Sequence, residues 1–120
     1  MNTPTDRIFR LTYIPEHIHL TRMLITDITI SQDSSFILYQ VPFGLTTSPS
    51  RAWKEVLMET WHSLILHKDR VSNTVIWVFH NRIIIDKVSI ELVKNELENL
   101  VAIAIEKTNK QIKMRSQLVI

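Results

Sequence analysis

Residues 74–86 read TVIWVFHNRIIID, two runs of β-branched and aromatic residues on either side of His80-Asn81. Runs of this kind around a two-residue turn signal a β-hairpin, and Asn81 supplies a residue type that tolerates the positive φ such turns require. The turn sets Phe79 opposite Arg82, Val78 opposite Ile83, Trp77 opposite Ile84 and Ile76 opposite Ile85. Successive side chains of a strand point to opposite faces. One face therefore carries Ile76, Val78, Ile83 and Ile85, and the other Val75, Trp77, Phe79 and Ile84. Both faces are apolar, whereas a half-solvated sheet alternates more cleanly. Any fold built on this hairpin has two sides to keep from water.

The remaining segments indicate what lies beside it. Residues 8–14 and 18–30 are rich in β-branched and aromatic residues, separated by Pro15-Glu16, with a break in the second run near Thr21. After a polar turn at 31–35, residues 36–41 form a third run, ended by Pro42 and Gly44. Three strands in succession predict an antiparallel meander. Ser48 then offers a helix cap with Pro49 in the first helical position, where its missing N–H costs nothing. Trp53, Val56, Leu57, Thr60, Trp61, Leu64 and Ile65 recur at spacings of three and four, which predicts a helix on one apolar face as far as His67. A second helical period runs from about 87 to 113, with Ile90, Val93, Leu97, Leu100, Val101 and Ala104 on one stripe and Asp86 or Ser89 as cap. Residues 117–120 suit a return to strand. The order βββαββα predicts an α+β two-layer sandwich: an antiparallel sheet of about five strands with two helices on one face.

A chain of 120 residues is the size of one domain, here read as 1–120 around one core, and 45% apolar with 22% charged residues is the balance of an ordinary globular protein. The absence of cysteine excludes disulfides, thiolate zinc sites and a cysteine nucleophile, and leaves the redox compartment open. The first ten residues are polar where an export signal needs an apolar run, and no apolar run approaches the roughly 20 residues of a membrane span. The expectation is a cytoplasmic protein without a membrane segment. Gly44 is the sole glycine, which rules out glycine-rich phosphate loops and the Gly-x-Ser-x-Gly elbow.

Candidate chemistry is sparse. His17-x-His19 places two imidazoles on one side of an extended segment, but a metal needs a third and fourth ligand, and His62, His67 and His80 belong to other elements. Glu59-x-x-His62, with Glu55 one turn before, is half of a di-iron motif whose other half is missing, so a solvated helix face accounts for it. No catalytic residue, metal or cofactor is assigned, and the reading leans away from an enzyme. A small-molecule or enzymatic site unmarked by any motif is one alternative.

Nucleic acid is another. Net charge is only +2, from 14 Lys and Arg against 12 Asp and Glu, yet Lys107, Lys110, Lys113 and Arg115 gather at the end of the last helix. Cations there suit the helix dipole. They would also track phosphates, helped by Asn109 and Gln111.

The reading that accounts for most residues is protein association. Two helices cover one face of the sheet, which leaves an outer face centred on Trp77 with Tyr39, Val75, Phe79 and Ile84. Burying a Trp side chain of about 200 Å² is worth roughly 5 kcal/mol at most, against an association cost of about 4 to 15 kcal/mol. Several of these residues must therefore be buried together. A homodimer is favoured over another protein partner because symmetric pairs are the commonest oligomers.

Overall fold

The computed structural model describes residues 18–31, 37–66, 68 and 73–118. The strand expected over 8–14 and the last two residues of the expected C-terminal strand lie outside that set. The elements are β1 (Leu20–Met23), a 3₁₀ turn (Ile25–Asp27), β2 (Thr29–Ile30), β3 (Tyr39–Leu45), α1 (Arg51–Ile65), β4 (Val75–Phe79), β5 (Arg82–Val88), α2 (Ile90–Asn95) and α3 (Leu97–Leu118). The five strands form one antiparallel sheet in the order β1-β3-β5-β4, with β2 alongside β3 as well. This is the α+β fold expected, with one difference of division. The 18–30 run supplies two of the five strands, and they share one flank of β3.

Pro42 explains that division. It was expected to end its strand, yet β3 runs through it to Leu45. Leu24 N–H donates to the Pro42 carbonyl at 2.9 Å, so the main chain of Pro42 faces the flank occupied by β1 and β2. A proline offers no N–H to a ladder. Here the missing donor falls beside residues 24–28, where the 3₁₀ turn replaces strand, and not against β5. At Thr21, where a break was expected, the ladder shifts register, and the strand itself gives way a few residues later.

The helices differ from expectation at their ends. Ser50, not Ser48, caps α1, its Oγ accepting from Trp53 N–H at 3.2 Å. Residues preceding a proline are disfavoured in helical backbone, which suits Ser48 to the extended approach. Ser89 caps α2, accepting from Leu92 N–H at 3.2 Å. The single helix expected over 87–113 is two, because Glu96, with φ −131°, interrupts it. The second continues through Leu118, so Gln117 and Leu118 are helical and not strand.

One core lies between the sheet and the helices. Val41, Phe43, Ile76, Ile83, Ile85 and Val88 from the sheet meet Trp53, Leu57, Trp61 and Ile65 of α1 and Leu97, Leu100, Val101, Ala104 and Ile105 of α3. Both buried indoles find acceptors, as a buried N–H must. Trp61 Nε1 donates to Thr74 Oγ1 at 3.2 Å. Trp53 Nε1 donates to Asn109 Oδ1 at 2.9 Å, and Asn109 Nδ2 donates in turn to the Ile18 carbonyl at 2.7 Å. Asn109 is thus a structural bridge between α1, α3 and the approach to β1. Its expected part in phosphate contact is set aside, because both ends of its amide are engaged inside.

Candidate association surface

The hairpin forms in the register expected, with Val75 opposite Asp86, Ile76 opposite Ile85, Trp77 opposite Ile84, Val78 opposite Ile83 and Phe79 opposite Arg82. Its turn has positive φ at His80 (56°), not at the Asn expected to take it. Positive φ at the first central position is the pattern of a type II′ turn. His also stacks its ring edge-on to Phe79, with centroids 4.3 Å apart.

Ile76, Ile83 and Ile85 point into the core, and alternation sends Val75, Trp77, Phe79 and Ile84 to the opposite face. There a row runs across three strands, Pro42 beside Ile84 beside Trp77. Ile84 and Trp77 are half-buried, while Val75 is 44% and Phe79 61% exposed. Polar residues frame the row. Arg82 reaches across Gly44 to Asp27 of the 3₁₀ turn, Nη1 to Oδ2 at 3.2 Å. Gly44 leaves room at this point for Thr21, whose Oγ1 a Cβ would strike. At the other end, Asp86 Oδ1 is out of water and has no hydrogen-bond partner among the described residues.

Tyr39 is not on this face. It pairs with Val88, whereas Val41 pairs with Ile85, so β5 inserts one extra residue there and Asp86-Lys87 oppose Gln40. Lys87 takes φ 61° in this bulge. The bulge returns Val88 to the core side, and Tyr39 follows Val41 and packs against the core. The expected five-residue cluster therefore contains four members together and Tyr39 on the reverse.

The basic residues are spread around α3. Lys110 pairs with Glu106 at 3.5 Å and Arg115 with Glu59 at 3.7 Å, all four side chains being exposed. Lys107 and Lys110 line an open groove of about 460 Å³ between α1 and α3, facing Glu59 and floored by Val56, Leu64 and Met114. Lys113 is also engaged. Of the histidines, His19 is exposed on the approach to β1, His62 is exposed on α1 and His80 is in the hairpin turn. His17 and His67 lie outside the described residues. Among the described residues no three His, Asp or Glu side chains gather as a metal site, and no helix is long and apolar enough to cross a membrane.

No protein-family model matches this chain, and no curated protein or solved structure resembles it significantly. What it does has to be argued from its surfaces. The described surface combines the exposed side chains of Val75 and Phe79 with the half-buried Ile84 and the half-buried indole of Trp77 on one hairpin. Its apolar centre is framed at one end by the Arg82–Asp27 ion pair.

Proposed function

We propose that this chain is a non-catalytic association module that pairs with a second copy of itself through the apolar surface of β4 and β5. The observation that carries this reading is the exposure of Val75 and Phe79 beside Trp77 and Ile84, on the face of the sheet opposite the helix-packed core. Clustered apolar exposure of this kind marks interaction sites. Trp and Phe concentrate binding energy because they bury a large rigid area. The cations of α3 favour this reading over phosphate binding, because Lys110 and Arg115 already face carboxylates. We assign the module to the cytoplasm.

Light scattering on the purified protein tests the proposal. The expected mass is twice the 14.1 kDa of the chain. Trp77→Lys should weaken pairing by at least about 30-fold, the lower bound for losing a hot-spot Trp, with an unchanged circular dichroism spectrum. A monomer throughout the micromolar range removes the homodimer. Unfolding by Trp77→Lys would show that this side is interior core.

A further inference from the structure

The hydrogen-bonding direction of each strand can be followed across the sheet. Leu24 N–H bonds the carbonyl of Pro42, so even-numbered residues of β3 turn their main chain towards β1 and β2. Val41 and Phe43 therefore turn theirs towards β5, where they meet Ile85 and Ile83. Consistently, Leu45 N–H donates towards the hairpin, to the Asn81 carbonyl at 2.8 Å. In an antiparallel ladder these directions alternate along each strand. Arg82, Ile84 and Asp86 then bond Phe79, Trp77 and Val75 of β4. Ile76 and Val78 are left to direct their N–H and C=O groups away from the sheet, along the edge that β4 forms.

Among the described residues that edge lacks the usual protections. Natural edge strands carry a charge, a proline or a bulge to prevent pairing with another chain, and β4 is Val-Ile-Trp-Val-Phe with a regular register to β5. The opposite edge has such protection: β1 bulges between Leu20 and Arg22, carries Arg22, and gives way to the 3₁₀ turn. We propose that the second copy joins along β4, antiparallel, about a two-fold axis at Trp77, so that the two sheets become one. This geometry rests on the association reading above and narrows it: Val75, Trp77 and Phe79 of β4 enter the contact, and Ile84 of β5 stays behind them.

The register follows from the strand itself. An axis at Trp77 sets Ile76 opposite Val78 of the second copy, which lets both residues of each strand exchange main-chain bonds, four in all. Axes at Ile76 or Val78 engage fewer residues of β4. The same axis places Val75 against Phe79 of the other copy, and these are the two β4 side chains that stand most open to water. It also sets the two Trp77 side chains side by side on the outer face. No like charges meet, and the helices of both copies stay on one side of the joined sheet.

The absence of cysteine permits a clean test. Val75→Cys and Phe79→Cys are each made alone, at exposed positions, and then mixed and oxidised. Facing residues of a pair that exchanges no main-chain bonds lie about 4.5 Å apart at Cα, within disulfide range. Residues 75 and 79 form such a pair. Residue 75 of one copy lies about 13 Å along the strand from residue 75 of the other, beyond that range. The mixture should therefore give at least ~tenfold more covalent dimer than either variant alone. Hydrogen exchange on the unmodified protein provides a second readout, with the Ile76 and Val78 amides protected at dimer concentrations and exposed on dilution. A wild-type dimer with no such cross-link and no such protection overturns edge pairing and leaves face-to-face contact, in which sheets stand about 10 Å apart. A wild-type monomer overturns both.

Discussion

Asn109 shows how one side chain can decide what a helix contributes. Its amide takes the indole proton of Trp53 and gives a proton to the Ile18 carbonyl, holding three segments that are distant in sequence. Replacing it with Ala leaves two polar groups of the interior without partners, each costing about 1–3 kcal/mol. Asn109→Ala is therefore expected to lower unfolding free energy by at least ~1 kcal/mol in a urea titration. Asn109→Asp retains the acceptor for Trp53 but sets a carboxylate oxygen against the Ile18 carbonyl, so it is expected to destabilise by at least as much as Ala. Thr108 beside it is buried and bonds the Ala104 carbonyl at 2.7 Å, so neither polar residue of this pair is offered to solvent as a ligand.

At the level of elements, the features fixed by neighbouring residues were legible and those fixed by distant ones were not. The hairpin register and the apolar stripe of α1 depend on spacings within a few residues, and both were read correctly, while the cap expected at Asp86 or Ser89 is Ser89. The face of Tyr39 depends on how β3 aligns with β5, more than forty residues on, and on a bulge carried by Lys87. Nothing local in residues 36–41 encodes either. The continuation of β3 through Pro42 was hidden for a related reason: a proline ends a strand only if its absent N–H was needed, and need is set by the neighbouring strand. Pro49 pointed to Ser48 as the cap of α1, whereas the cap is Ser50, which the expectation did not include. The caps can be told apart by substitution. Ser50→Ala is expected to cost about 1 kcal/mol in thermal or chemical denaturation, and Ser48→Ala a few tenths at most.

For the whole molecule, the proposed pairing would make association and folding one equilibrium. A dimer that binds only the native chain adds stability through mass action. The thermal midpoint of the wild type is expected to rise with protein concentration, while that of Trp77→Lys stays constant, a comparison that calorimetry at two concentrations makes directly. The two edges of the sheet then have unequal consequences. An extended apolar edge on both sides would let copy add to copy without end, as in a fibre. Here the flank formed by β1 and β2 is bent by the extra residue at Thr21 and interrupted beside Pro42. On the proposed pairing, a molecule that can zip on one side only would stop growing at two, and the proline beside which the far flank is interrupted would act as the terminator of a polymer that never begins.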